Sequence, residues 1–182
     1  MLVAVACNKQ AAVSPAQNQK QTDETASRQT YDNTQYNYEV KYPKEYRLNP
    51  QATATTVSIP QSLYPKTNFG QANLSVNLYF NGQESCEKYT FNNSMVFPGK
   101  EITKESLNGN TFYALTYNSA AAGTAYKTKL YRNFRNNVCY EINLTFGVGN
   151  IGNYTPGTVT AVDENDVWKR LNQLLGTFKF TK

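Results

Sequence analysis

Alternation of apolar and polar residues along short segments constrains the fold of this sequence more than any other feature. The segment QANLSVNLYFNG is the clearest case, because nearly every second residue in it is apolar. Its apolar side consists of Leu74, Val76, Leu78 and Phe80, and its other side of Asn73, Ser75, Asn77 and Tyr79. This period of two is typical of a strand that buries one face. The shorter segments YEVKYP and ATTVSIP precede it and follow the same pattern.

Two hairpins are predicted in the second half of the chain. The first, KEITKESLNGNTFYALTYNS, turns at Asn108 and Gly109, which readily adopt the positive φ angles of a tight turn. The second, TAYKTKLYRNFRNNVCYEINLTF, turns at residues 135–137. Consecutive hairpins of this kind pair their strands side by side, so the sheet is predicted to be antiparallel.

Two helices are predicted as well. A short one surrounds Cys86, and a longer one runs from Asp163 as N-cap to Gly176 as C-terminal stop. The longer helix has an apolar stripe at the helical period, formed by Val167, Trp168, Leu171, Leu174, Leu175 and Phe178. The predicted fold class is therefore α+β, an antiparallel β-sheet with helices packed on it.

Three segments are similar to Mog1/PsbP-like domains. YEVKYPKEYRL resembles the family's opening strand, LNGNTFYALTY its central hairpin, and VWKRLNQLLGTFKF its closing helix and strand. Tyr46 stands where the family usually has Trp, and Thr177 where it has Ser. The resemblance implies an α/β/α sandwich over residues 36–182. It also implies a noncatalytic role, since family members include photosystem extrinsic subunits, a small-GTPase partner and many bacterial lipoproteins.

The first residues resemble the end of a bacterial lipoprotein signal peptide. Small apolar residues lead directly to Cys7, which the resemblance identifies as the lipidated residue. Residues 1–7 are too short and lack the basic start of a complete signal, so we expect that the true signal extends upstream or that the chain is trimmed. The alternative is that the apolar start and Cys7 are incidental.

Residues 8–35 are polar and poor in bulky apolar side chains, as in NKQAAVSPAQNQKQTDETASRQ. This composition predicts a disordered tether. A flexible chain of this length spans on the order of 30 Å, enough to hold a domain just off a bilayer. We therefore predict an exported protein of the cell envelope, bound to the membrane by its N-terminal lipid. In a Gram-negative cell it would lie on the periplasmic side of the outer membrane.

The other two cysteines are predicted to form a disulfide. Cys139 alternates with the apolar residues of its strand and so faces away from them, where a helix carrying Cys86 can cover it. An exported protein meets an oxidising compartment, in which such a pair closes. The bond would stabilise the fold by about 4 kcal/mol in the chain-entropy model. The alternative is two separate buried thiols.

Histidine does not occur in this sequence. Its absence removes the usual nucleophile–base pairs and the common zinc ligand sets. We therefore predict that the protein is not an enzyme and has no metal site and no cofactor. The formal net charge of +5 favours anionic partners, but no nucleic-acid-binding motif accompanies it, so no nucleic-acid partner is predicted.

The second hairpin carries the candidate partner-binding residues, a basic run without acidic residues: Tyr126, Lys127, Lys129, Tyr131, Arg132 and Arg135. The run is interpreted as a docking surface for an acidic partner or for lipid headgroups. Alternatively, its lysines guard an edge strand against pairing with other chains. Residues 147–162 form a long loop in which Tyr154 is a further contact candidate, simple flexibility being the alternative.

The loop begins with GVGNIG, which matches a dinucleotide-binding motif by spacing. Pro156 and Gly157 follow it and would break the helix that such a motif must open, so we do not predict a nucleotide site.

Two functions follow from these features. The first is a noncatalytic envelope protein whose domain binds a protein or an anionic envelope polymer. The second is a carrier of a small ligand, held in a cavity between sheet and helices and lined by Tyr and Phe.

Overall fold

The computed structural model describes residues 27–91 and 94–182. The predictions for Cys7, for residues 1–7 and for most of the tether lie outside these residues.

The described residues form twelve strands and two α-helices. The strands are β1 (Arg28–Asn33), β2 (Tyr38–Pro43), β3 (Arg47–Pro50), β4 (Ala54–Ile59), β5 (Phe69–Tyr79), β6 (Thr90–Phe91), β7 (Ser94–Met95), β8 (Thr103–Leu107), β9 (Asn110–Ala121), β10 (Thr124–Arg135), β11 (Val138–Gly149) and β12 (Lys179–Phe180). The helices are α1 (Gln83–Glu87) and α2 (Glu164–Leu175).

Seven strands form the main sheet in the order β3-β4-β5-β11-β10-β9-β8, and every neighbouring pair is antiparallel. The two-residue turns of the β8–β9 and β10–β11 hairpins have positive φ at both residues, at Asn108 and Gly109 and at Asn136 and Asn137. Asn tolerates this conformation better than most residues, so these turns fix the register of the long hairpins.

One face of the main sheet carries the principal core. Ile142, Leu144 and Phe146 of β11 lie on it and are fully buried. Helix α2 covers this face with Val167 and Leu171, and Trp168 packs edge-on against Phe146. The Asp163 carboxylate accepts hydrogen bonds from the backbone N–H groups of residues 165 and 166, which confirms it as the N-cap.

A small sheet in the order β1-β2-β12 packs on the same face. Tyr38 joins it to the main sheet, because its hydroxyl lies 2.8 Å from the Thr55 hydroxyl and its ring stacks on Phe178. Burial raises the pKa of Tyr38, so its phenol stays neutral in the core.

The opposite face carries α1 at one end. Cys86 of α1 forms a disulfide with Cys139 of β11 across a Cα–Cα distance of 5.6 Å, and both residues are fully buried. The predicted disulfide is therefore confirmed. Beside it lies a second apolar cluster made by Tyr89, Leu115 and Leu130, on which Phe97 and Tyr117 pack.

The predicted α+β fold class is confirmed, with helices on an antiparallel sheet. Two details differ from the prediction. Strand β1 lies within residues 8–35, so that part of the expected tether is folded, paired with β2 along its whole length. Phe80 was expected on the buried side of β5, but the strand ends at Tyr79 and Phe80 is 61% exposed, with its ring near Tyr36.

Within residues 27–91 and 94–182, neither helix is long and apolar enough to cross a membrane.

The disulfide gives the first testable prediction. It closes a loop of 53 residues, so replacing both cysteines by Ala should lower the free energy of unfolding by about 4 kcal/mol. Urea unfolding followed by tryptophan fluorescence measures this loss. A Cys7→Ala variant is the matched control and should unfold at the wild-type urea concentration. An unchanged midpoint for the Cys86→Ala/Cys139→Ala variant would contradict the structural role of the bond.

Candidate functional site

Strand β10 positions the six basic and aromatic residues that the sequence singled out. Because side chains alternate along a strand, Lys127, Lys129 and Tyr131 share one face, as predicted. This face packs against α2, whereas Tyr126 and Arg132 point to the opposite face. The basic run is thus divided between two faces rather than gathered on one.

The two lysines are paired with acidic side chains of other elements. Lys127 Nζ donates to a carboxylate oxygen of Glu164 at the start of α2. Lys129 Nζ lies 3.0 Å from Glu105 Oε2 on β8 and also over the ring of Tyr131. Burial alone would lower the pKa of Lys129, but its contacts with Tyr131 and Glu105 raise it above the usual value, so this lysine stays charged.

Arg132 forms a buried ion pair with Glu141 on β11. Its Nη2 atom lies 2.6 Å and its Nε atom 2.7 Å from Glu141 Oε2, and the side chains are 8% and 6% exposed. The guanidinium lies over the ring of Tyr89, 4.3 Å from its centroid, and donates to the backbone oxygen of Ser85 in α1. Arg132 therefore joins α1 to the sheet and is not part of the protein surface.

Two tyrosines close this buried pair. The Tyr79 hydroxyl donates to Glu141 Oε1, and the Tyr89 hydroxyl donates to the backbone oxygen of Tyr113. Burial, and then the Glu141 carboxylate, raise the pKa of Tyr79, and burial raises the pKa of Tyr89. Both phenols are therefore neutral hydrogen-bond donors at ordinary pH.

The remaining candidates lie apart from one another. Arg135 donates to the backbone oxygen of Lys182 and lies over the ring of Phe180. Tyr154 lies in the loop after β11 and is 39% exposed. Its hydroxyl lies over Gly149, two residues along β11 from the glycine that Tyr126 covers, so the structure places Tyr154 near Tyr126 at one end of β10 and away from Arg135 at the other.

The alternative interpretation of the lysines is wrong. Strand β10 has β9 on one side and β11 on the other, so it is not an edge strand that needs guarding. Docking of an acidic partner stays a prediction, with less free positive charge to support it because Lys127, Lys129 and Arg132 already neutralise carboxylates within the domain.

The side of the main sheet that faces away from α2 carries an uncharged surface that the sequence did not single out. The register of β4, β5, β11 and β10 aligns two rows of hydroxyl and amide side chains, which we call the hydroxyl–amide face. The longer row runs Ser58, Asn73, Thr145 and Thr128. The shorter row runs Thr56, Ser75 and Asn143. All of these side chains are partly exposed except Thr128, which is buried.

Hydrogen bonds between neighbouring strands hold these side chains in place. The Thr56 and Ser75 hydroxyls lie 3.0 Å apart, and those of Thr128 and Thr145 lie 3.5 Å apart. Within the part of the chain that the structure covers, the Asn143 Oδ1 atom is buried and accepts no hydrogen bond. Asn143 therefore has unused hydrogen-bonding capacity at the centre of the face.

The face borders the ion pair on one side and tyrosines on others. Glu141 and Arg132 form the next row towards α1, whereas Tyr117 of β9 continues the longer row beyond Thr128. On the other side of that row, the Tyr126 ring lies over Gly147. The contact is so close that a Cβ added to the glycine would be only 2.8 Å from Tyr126 Cε1. The outer end is bounded by Arg47 of β3, which is opposite Ser58.

Two of the seven side chains of this face, Asn73 and Ser75, were predictable from the sequence. Alternation placed Asn73, Ser75 and Asn77 on the polar side of β5, but the partners from β4 and β11 follow only from strand order and register. No single segment carries a pattern that predicts which strands become neighbours.

The aromatic side chains proposed to line an internal cavity pack against one another instead. Tyr64 stacks on Phe69 with ring centroids 4.6 Å apart, and the ring of Phe112 lies parallel to that of Phe180. An open cavity of about 230 Å³ lies at the β8–β9 side of the sheet, with mainly polar and small lining residues: Glu101, Thr103, Glu105, Ala114, Leu115, Thr116 and Lys129.

The GVGNIG segment does not open a helix. Gly147 and Gly149 belong to β11, and the next turn is the short 3₁₀ segment Ile151–Asn153. Asn68 ties the loop to the sheet, since its side chain donates to the oxygen of Gly149 and accepts from the backbone N–H of Val162. The geometry that receives a pyrophosphate at a helix N-terminus does not occur at this segment.

Among the residues that the structure describes, no three Asp, Glu or Cys side chains cluster as metal ligands.

The Arg132–Glu141 pair gives the second prediction. A Glu141→Gln substitution leaves the buried guanidinium without its counter-charge, and we expect a loss of about 3–5 kcal/mol in the free energy of unfolding. A Lys88→Ala substitution, which breaks the exposed pair with Glu84, is the control and should leave the urea midpoint nearly unchanged. Equal midpoints for Glu141→Gln and wild type would mean that the pair does not hold α1 to the sheet.

No protein-family model matches this sequence, and no curated protein matches it either. A crystal structure from Bacteroides thetaiotaomicron VPI-5482 is similar in fold, with 13% identity and a TM-score of 0.49, over 84% of this chain and 48% of that one. This chain thus spans about half the length of the Bacteroides chain. The solution structure of cyanobacterial PsbP (CyanoP) from Synechocystis sp. PCC 6803 has 14% identity and a TM-score of 0.47, over 85% of this chain and 93% of that one.

Proposed function

We propose that this protein is a lipid-anchored, noncatalytic protein of the cell envelope whose globular domain binds a partner there, either a protein or an envelope polymer. The observation that carries the proposal is the buried Cys86–Cys139 disulfide. Such bonds persist in oxidising compartments outside the cytosol and are rare within it.

The same bond distinguishes the third cysteine from the other two. Because Cys86 and Cys139 are bonded to each other, Cys7 is the remaining thiol of the three in the sequence. It follows directly the short apolar segment that resembles a lipoprotein signal. Cys7 takes no part in the disulfide, and attachment of a lipid would give it a function. Stable anchoring then needs more than one acyl chain, as diacylglycerol supplies.

Binding rather than catalysis is supported by the chemistry of the side chains. The sequence has no histidine, and the buried ion pair of Arg132 and Glu141 is enclosed by Tyr79 and Tyr89 rather than open to a substrate. The hydroxyl–amide face is an ordered polar surface, uncharged along its two rows and suited to hydrogen bonding.

The anchor gives the third prediction. When the complete native gene is expressed in cells fed an alkyne-tagged fatty acid, the protein should carry the tag and enter the detergent phase of Triton X-114. A Cys7→Ser variant should lose both properties. The control variant Cys86→Ala/Cys139→Ala should keep the tag, because those cysteines are not the acylated ones. An untagged wild-type protein would refute the anchor.

The small-ligand carrier is the second candidate, and the packing of the core makes it the weaker one. Because Tyr38 stacks on Phe178 and Tyr64 on Phe69, the interior side chains fill the space that an apolar ligand would need.

The fourth prediction separates these candidates. The uncharged dye Nile red, titrated into the folded domain, should show no saturable rise in fluorescence, because the interior rings of residues 27–91 and 94–182 named above pack against one another. A saturable rise with one site per chain would favour the carrier over the binding domain. A fatty-acid carrier protein measured in parallel provides the positive control.

A further inference from the structure

We infer that the hydroxyl–amide face binds an uncharged polysaccharide. This inference rests on the proposed function, since it names the chemistry of the envelope partner and the surface that contacts it. Three properties of the face support it: its charge, its spacing and its aromatic border.

The charge of the face matches a neutral partner. Its seven side chains are all hydroxyls or amides, from Thr56 on β4 to Thr128 on β10. The buried cation of Arg132 is neutralised by Glu141, the lysines of β10 lie on the other side of the sheet, and Arg47 stands at the outer end of the longer row rather than at its centre. An anionic polymer would therefore lose hydration at the centre of the face without gaining a counter-charge.

The composition of the face also differs from that of a protein-binding surface. Interface centres are enriched in aromatic residues, Met and Arg, and truncating such anchors costs most of the binding energy. The two rows contain Ser, Thr and Asn, which offer hydrogen bonds and little apolar area. Compared with a protein partner, a polyhydroxyl partner is better suited to this face, because its hydroxyl groups can exchange hydrogen bonds with water for hydrogen bonds with these side chains.

The spacing of the rows matches a polymer of sugar units. Neighbouring strands lie about 4.8 Å apart, so each row presents a hydroxyl or amide at nearly the repeat of a pyranose chain, about 5 Å. The exposed part of the longer row crosses β4, β5 and β11 and presents three polar side chains, Ser58, Asn73 and Thr145, over roughly 10 Å. A chain laid across these strands would meet one of them per sugar unit, whereas Thr128 on β10 is buried and out of its reach.

Two tyrosines stand where the longer row ends. Tyr117 lies opposite Thr128, with its ring 4.7 Å from that of Phe97, and Tyr126 lies over Gly147 on the neighbouring row. The missing side chain at Gly147 is what allows the Tyr126 ring to lie against the sheet. A half-buried ring held in this way offers an apolar face to the C–H groups of a sugar, while its hydroxyl stays available for hydrogen bonding.

Affinity electrophoresis of the full chain tests the inference, with Cys7→Ala as the background so that no lipid is present. The protein is run through native gels that contain dextran, laminarin or mannan, and through gels with the acidic polysaccharide alginate. We expect retardation by at least one neutral polysaccharide and none by alginate. The polysaccharide concentration that halves the mobility gives the dissociation constant.

Substitutions on the face should weaken this binding. An Asn73→Ala/Asn143→Ala variant and a Tyr126→Ala variant should each raise the dissociation constant at least about tenfold. Asn172→Ala, on the exposed side of α2, is the matched control and should bind as the parent does. Circular dichroism checks folding, and if the double variant is unfolded, the single charge-introducing change Asn73→Asp replaces it, with the same expected loss.

Three outcomes would overturn the inference. They are mobility unchanged by all three neutral polysaccharides, retardation by alginate alone, and retardation that the face variants leave intact. None of these affects the acylation of Cys7, so a failure here with a tagged Cys7 rejects the polysaccharide and keeps the anchored binding domain. An untagged Cys7 with retained polysaccharide binding rejects the anchor instead.

Discussion

The pairing of β11 with both β5 and β10 is the constraint on which the rest of the structure depends. Ten residues of β11 pair with β5, and all twelve pair with β10. Because successive side chains alternate, this single strand supplies Ile142 and Leu144 to the core and Cys139 and Glu141 to the opposite face. A shift of its register by one residue would exchange these sets and place a carboxylate in the core.

The elements that were predictable are those whose determinants lie close together in the sequence. The closing helix was readable from its 3.6-residue stripe and from Asp163, and the second hairpin from its turn at Asn136 and Asn137. The disulfide followed as well, because alternation alone turned Cys139 away from the core. In each case a local pattern decides which side chains point inward.

The features that were not predictable depend on partners distant in sequence. Strand β1, with the sequence RQTYDN, has no apolar alternation of its own and is ordered by its register with β2. The ion pairs of Lys127 with Glu164 and of Lys129 with Glu105 join residues that only the assembled sheet and α2 bring together. The hydroxyl–amide face is of the same kind, since each of its rows draws one residue from each strand that it crosses.

The small sheet would have a mechanical consequence in the anchored arrangement proposed above. Strand β1 is its outer strand, and its first residue, Arg28, is opposite Pro43 at the far end of β2. A pulling force applied to the chain before residue 28 would therefore break the pairing of β1 with β2 one residue pair at a time, beginning at Arg28. Strand β1 would separate from β2 as far as Asn33 before the strands of the main sheet began to separate, so the outer strand would lengthen the chain and protect the rest of the fold.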